Sequence, residues 1–164
     1  MPWRIGSPLI ITGSGTAYVK PGMSYLIILK GGFGTLDERC IKIAFLCPLN
    51  FSHENMGGAD VHIQHLIKAL SKDSDRELEL HVVTLSKSVK KDTEYLDEQL
   101  KYHILKSPNV PRTVTGVTID WRKLIKMVNM INPDIVHAQV LGAPYGLAAM
   151  KLIHEYPVVL TVHT

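Results

Sequence analysis

The chain has little with which to cross-link itself. Its 164 residues include two cysteines, Cys40 and Cys47. Seven positions apart along an expected strand, they point to opposite faces, which excludes a disulfide between them and suits a reducing compartment. Charge of one sign is also scarce. Lys and Arg number 18 against 15 Asp and Glu, a net +3, too small an excess to argue for nucleic acid. Long apolar runs are missing. Stretches such as Tyr25 to Leu29 fall far short of the roughly 20 residues that span a bilayer. The start carries Arg4 but no apolar core ahead of a small-residue cleavage site, so no signal peptide is expected and the default location is cytoplasmic. What is there is an ordinary globular mixture, 46% hydrophobic and 20% charged, long enough for one domain with one sizeable core.

Residues 1–39 differ from the rest. They hold seven of the twelve glycines, together with Pro2, Pro8 and Pro21. Leu9 to Ile11 and Tyr25 to Leu29 suit weak strands or no regular structure. Gly13-Ser14-Gly15 and Gly31-Gly32-Phe33-Gly34 look like phosphate loops, but such a loop must open a helix whose amides hold the anion. Neither does, so both read as turns. The segment is expected to be an extension of uncertain structure, with Met23 as an internal start.

From residue 40 the punctuation changes to strands alternating with helices. Ile41 to Cys47 reads as a buried strand. After a loop, Pro48 to Met56, the pair Gly57-Gly58 opens a helix whose Ile63, Leu66, Ile67 and Leu70 form one apolar face. Leu80 to Leu85 is a second strand. Ser86 to Leu100 is charged and expected at the surface, partly helical. Tyr102 to Leu105 is a short strand and Pro108 to Gly116 a loop. Asp120 is expected to cap a helix carrying Trp121, Leu124, Ile125 and Val128, which Asn132-Pro133 stops. Asp134 to Ala138 is the next strand, Pro144 starts another helix, and Pro157 to His163 is a final strand. This alternation predicts an α/β fold: a Rossmann-like, doubly wound parallel sheet with helices on both faces.

In such a fold ligands sit at the carboxyl ends of the strands. Three features fall on that edge. Gly57-Gly58 lets a ligand approach the backbone, ahead of helix amides that favour an anion; the plainer reading is a loop entering a helix. His137 and His163 each end a strand, where a histidine serves as donor, base or charge stabiliser near neutral pH; the plainer reading is a ring satisfied by backbone under a loop. A dinucleotide-binding oxidoreductase would need Gly-x-Gly-x-x-Gly after the first core strand, and the sequence has only Gly57-Gly58 there.

The ordered set resembles the amino-terminal half of retaining GT-B glycosyltransferases of family 4. Lys42-Ile-Ala-Phe-Leu-Cys-Pro followed by Met56-Gly-Gly-Ala-Asp-Val-His-Ile-Gln-His-Leu-Ile-Lys-Ala-Leu is similar to the opening of that family. Ile131-Asn-Pro-Asp-Ile-Val-His-Ala and Val158-Val-Leu-Thr-Val-His-Thr look like its fourth and fifth strand signatures. The resemblance covers residues 41–164. It implies that Gly57 and Gly58 lie near the phosphate of a nucleotide-sugar donor, that His163 is the site residue at the transfer point with Thr164 beside it, and that His137 supports them from behind. Many relatives carry a second histidine where this chain has Gln139, which hydrogen-bonds but cannot carry a proton at neutral pH. The resemblance further implies a second, donor-gripping domain after the first, absent from this chain, so that residues 40–164 read as an acceptor-side domain cut near its end. Without that domain's charges the leaving diphosphate lacks neutralisation, and no transfer by the chain alone is expected. The competing reading is a non-catalytic binding subunit of a two-chain transferase.

Other features point less far. Asp73-Ser-Asp75 has metal-binding spacing but follows the first helix, at the edge opposite the ligand. His53, His62 and His65 lack a fourth partner for zinc, and His53 with Glu54 reads as a surface loop. No metal or cofactor is expected. Lys87, Lys90 and Lys91 suit anionic lipid head groups in peripheral membrane contact, but with Glu94, Asp97 and Glu98 close behind they read as a solvated helical face. Trp121, Met127 and Met130 read as packing.

Overall fold

The computed structural model describes residues 25–29, 40–48, 58–71, 78–97, 100–140 and 142–162. In chain order the elements are β1 (Tyr25–Leu29), β2 (Ile41–Leu46), α1 (Gly58–Ser71), β3 (Leu78–Ser86), β4 (Thr93–Asp97), β5 (Leu100–Lys106), α2 (Arg112–Thr115), a π-helical turn (Gly116–Asp120), α3 (Trp121–Ile131), β6 (Ile135–Ala138), α4 (Tyr145–Leu152) and β7 (Val158–Val162). Among the described residues the strands form one sheet in the order β1-β7-β6-β2-β3-β5-β4. The run β7-β6-β2-β3-β5 is parallel. The edge strands β1 and β4 are antiparallel to their neighbours. This is the Rossmann-like α/β sheet that the alternation of elements predicts.

Successive apolar residues of the central strands project to opposite faces, and both faces are covered. On one face Phe45, Cys47, Leu80 and Val82 meet Ile63 and Ile67 of α1, with Leu66 and Leu70 beside them. On the other, Leu46, Val83, Leu85, Val136, Ala138, Val158 and Leu160 meet Leu124, Val128 and Ile131 of α3 and Tyr145, Ala148, Ala149 and Leu152 of α4. Fully burying one such leucine or valine contributes about 1.5–3 kcal/mol. The handedness of the crossovers explains the split. The β2-α1-β3 unit steps one way along the sheet and the β6-α4-β7 unit steps the other, so right-handed connections place α1 and α4 on opposite faces.

Helix α3 ends where Asn132 takes φ 50° and ψ 63°, a left-handed conformation that asparagine tolerates. Its N–H donates to the Val128 carbonyl at 2.8 Å. Lys42 Nζ donates to the Ile131 carbonyl at 3.3 Å. Asp134 ties β6 to β2 by accepting from Lys42 N at 2.9 Å and donating its own N–H to Lys42 O at 2.8 Å.

Several expectations need correction. Residues 86–97 hold no helix: they bend and then form β4, paired with β5 from Thr93 opposite Ile104 to Asp97 opposite Leu100. Pairing with a neighbouring strand overrides the local charge pattern, and Asp92 locks the register by accepting from Lys106 N at 2.6 Å. Charges along this edge discourage further pairing. Lys87, Lys90 and Lys91 therefore sit on a bend and not on a helix face. The stretch expected as a loop, Pro108 to Gly116, contains α2 and the start of the π-helical turn. Asp120 does not cap α3. Its backbone is itself helical, and its buried carboxylate accepts from Ser107 Oγ at 2.9 Å. Met127 packs on the core, but Met130 is exposed. Tyr25–Leu29, left open between weak strand and irregular chain, is a strand at the β7 edge.

Candidate functional site

The topology fixes where a ligand edge can form. Connections leave β2 and β6 in opposite directions, so a crevice opens between their carboxyl ends. Gln139 N donates to Leu46 O at 3.0 Å and Cys47 N donates to Val83 O at 3.3 Å, which holds the strand ends together just below it. Helix α1 opens at Gly58 on this edge. Gly58 therefore stands where the sequence pattern puts it, with the unpaired amides of a first helical turn behind it. Gly57, His163 and Thr164 lie outside the described residues, as do His53, Glu54, Asp73, Asp75 and the two glycine-rich stretches near the start.

His137 ends β6 on the α1 side of the sheet. Its Nε2 lies 2.9 Å from Thr161 Oγ1 of β7 and 3.1 Å from the side-chain amide nitrogen of Gln139. An amide nitrogen only donates, so in the contact with Gln139 the ring nitrogen Nε2 is the acceptor. The ring is tilted 37° against Phe45 with centroids 5.2 Å apart. Gln139 is only 1% exposed. The thread Thr161–His137–Gln139 thus runs across β7, β6 and the switch point as a largely buried polar layer. Sequence reasoning singled out His137 and noted Gln139, but missed Thr161. The signal was available: Thr161 stands two residues before His163 on a strand, where period-two alternation puts both on one face.

Tyr145 was also missed. Its hydroxyl, on α4 at the other face, accepts from Leu85 N at 3.1 Å. Strand β3 runs past the end of its pairing with β2, which stops at Leu46 opposite Val83. The phenol accepts from a strand amide beneath the switch point. The Ala143–Pro144 peptide that leads into α4 is cis.

The charge balance of this edge is distinctive. Among the described residues at the ends of β2 and β6 and in the first turn of α1 (46–48, 58–61, 138–140 and 142–144) none is basic. An anion bound here would rest on backbone amides. Among the described residues no group of three or more His, Cys, Asp or Glu side chains could hold a metal ion. His62 and His65 are exposed on α1. No described helix is long and apolar enough to cross a membrane.

A second polar cluster lies toward the other end of the strands. His81 Nε2 donates to Glu79 Oε1 at 3.1 Å, and His81 Nδ1 stands 2.9 Å from His103 Nε2 in a nearly parallel stack. His103 Nδ1 lies 2.9 Å from Glu94 Oε1 of β4. Burial holds the His81 ring below its ordinary value, against the pull of Glu79. The hydrogen bond from Lys101 holds Glu79 below the usual carboxylate range, despite some burial. The cluster fastens β3, β5 and β4 together and is remote from the switch point.

Fold and site together define a Rossmann-like α/β domain with its ligand edge between β2 and β6. The model of Glycosyltransferase Family 4 matches residues 56–164, more than half of the chain. The protein belongs to that family, and glycosyl transfer is its class of activity. No curated protein and no solved structure matches the chain.

Proposed function

We propose that this chain is the acceptor-side domain of a retaining GT-B hexosyltransferase that takes its sugar from a nucleotide-sugar donor. The observation that carries the proposal is the family match from residue 56 to residue 164, which begins at the Gly57-Gly58 pair and ends at His163-Thr164. In this reading the amides at Gly57 and Gly58 approach the donor diphosphate. His163 hydrogen-bonds the reacting sugar and stabilises the charge that develops as the bond to the diphosphate breaks, with Thr164 beside it. His137 acts through its neighbours, keeping β6 and β7 in register beneath the reacting groups. No metal is called for, and no carboxylate is assigned as nucleophile. The donor domain is supplied in cis or in trans, and the cytoplasm supplies the nucleotide sugar.

The absence of basic side chains among the described residues at the crevice supports one further part of the proposal. A departing diphosphate needs charge neutralisation beyond a few amides, so this chain alone transfers no sugar. The test is a titration of the isotopically labelled chain with uridine and guanosine diphosphates and their hexose conjugates, followed by amide and imidazole resonances, beside a transfer assay. Shifts centred on Gly57, Gly58 and His137 without product are expected. Shifts confined to other sites would sink the assignment of the donor edge, and transfer by the pure chain would sink the need for a second domain.

A further inference from the structure

The polar cluster joining β3, β5 and β4 fixes a count of protons. Its contacts run in line: Glu79 Oε1 to His81 Nε2 at 3.1 Å, His81 Nδ1 to His103 Nε2 at 2.9 Å, and His103 Nδ1 to Glu94 Oε1 at 2.9 Å. Each contact needs one hydrogen between its two atoms. A carboxylate only accepts, so the hydrogens at both ends come from the rings, on His81 Nε2 and His103 Nδ1. The middle contact needs another, on His81 Nδ1 or on His103 Nε2. Two neutral imidazoles hold one ring proton each, one too few. The line is complete when one ring is neutral and the other is an imidazolium.

Taking a proton away or adding one spoils a different contact. With two neutral rings, one contact sets lone pair against lone pair. With two imidazoliums, N–H faces N–H across the 2.9 Å between the rings. His81 and His103 are 5% and 6% exposed, so water does not readily fill either gap and the fault is felt. The charges around the pair suit one added proton. Lys101 and Lys42 pair with Glu79, while Glu94 meets His103. On the β4 side Asp92 is taken up by Lys106 N. On α3, Lys123 Nζ is taken up by the Lys106 carbonyl, Arg122 lies over the Trp121 ring, and Lys126 is exposed. Burial, with the charges of His103 and Lys101 behind it, holds the His81 ring below its ordinary value against the pull of Glu79. His81 is thus the ring that resists the second proton.

We propose that His81 and His103 form a pH-sensitive clasp that fastens the outer strand β4 to the sheet only while the two rings share one added proton. Among the described residues β4 pairs with β5 alone. Glu94 stands directly opposite His103 in that pairing, so it is the side chain by which β4 grips the buried pair. Loss of the shared proton on the alkaline side, or gain of a second on the acid side, loosens β4 and bares the edge of β5. The clasp is independent of the proposed transferase function.

The test uses the full chain labelled with nitrogen-15, without sugar or nucleotide. Imidazole nitrogen spectra at about pH 7 count the protons on the pair directly. Protons on three of the four ring nitrogens of His81 and His103 are expected; two or four would overturn the proposal. Solvent exchange of the β4 amides, divided by the intrinsic rate, is then followed from about pH 5 to about pH 9.5. Protection is expected to be highest near neutrality and to fall by about three- to tenfold toward each end. A flat profile, or a fall on one side only, would count against the clasp. Glu94→Gln separates the proton from the strand pairing. The side-chain amide can donate to His103 Nδ1, which satisfies the line with two neutral rings. Glu94 is exposed, so this variant is expected to melt like the parent, to show two ring protons on the pair, and to keep β4 protected without the alkaline fall. A variant whose β4 still loosens at alkaline pH as the parent does would overturn the proposal.

Discussion

Replacing Tyr145 by Phe removes a buried hydroxyl beneath the switch point. The ring stays, so the packing of α4 on the sheet is retained, while the oxygen that accepts from Leu85 N at 3.1 Å is lost. Tyr145 is buried and Leu85 is buried, so water does not readily replace the lost oxygen. Losing a buried hydrogen-bonding hydroxyl costs about 1–3 kcal/mol. For a domain of this size that lowers the melting temperature by roughly 3–9 °C. Tyr145→Ala also removes the ring and leaves a cavity, for a loss of about 3–5 kcal/mol. Two assays check the reasoning together: thermal unfolding of both variants, and hydrogen exchange at the Leu85 amide. The Phe variant is expected to show faster exchange at Leu85 while amides in the middle of β2 stay protected. If Leu85 exchanges at the parent rate and melting moves by less than about 1 °C, the phenol does not hold the end of β3, and the account of how α4 supports the crevice is wrong.

Three further outcomes follow from particular side chains. Because burial holds His81 below its ordinary value of 6.5, the unfolded chain takes up a proton that the folded chain refuses. The stability this contributes is complete above the ordinary histidine value and is lost as pH falls through the window beneath it; His81→Gln should lose less in melting temperature between pH 7.5 and pH 5.5 (roughly one unit either side of the usual titration) than the parent, and parallel losses would count against it. Asp120→Ala leaves the buried Ser107 hydroxyl without the carboxylate it donates to and should cost about 1–3 kcal/mol in urea unfolding, whereas Asp120→Asn keeps an acceptor and should cost much less; equal losses would refute the role given to that bond. Asn132→Gly should leave stability within a few tenths of a kcal/mol, while Asn132→Val, a β-branched residue forced to φ 50°, should cost about 1–2 kcal/mol, measured by the same unfolding curves.

The central strands and their helices were legible in the chain because their signals are local and repeated. Ile41–Leu46 is apolar but for Lys42, α1 shows its stripe at Ile63, Leu66, Ile67 and Leu70, and Asn132-Pro133 writes a helix stop in two residues. From that order alone followed the parallel sheet and the edge on which Gly58 and His137 stand. Elements whose conformation depends on a distant partner were not legible. Residues 93–97 carry a charged, ambiguous pattern, and only pairing with β5 makes them a strand. Tyr25–Leu29 becomes a strand through β7, more than a hundred residues away. Asp120 sits where a helix cap would sit, yet Ser107 draws its carboxylate inward.

The same division runs through the candidate site. Residue types, spacing and strand ends marked Gly57, Gly58, His137 and His163, because a strand's carboxyl end and a helix's first turn can be read from neighbouring residues. Whether His137 meets a hydroxyl could not be read there: Gln139 stands two residues on, but Thr161 comes from another strand, and only the register of β6 against β7 brings its hydroxyl within 2.9 Å of the ring. Tyr145 reaching Leu85 across 60 residues and His81 stacking on His103 are likewise products of packing. Local periodicity determined the layers of this protein; which polar groups meet inside them was decided by tertiary structure, because hydrogen bonds between distant segments leave no repeating trace in the chain.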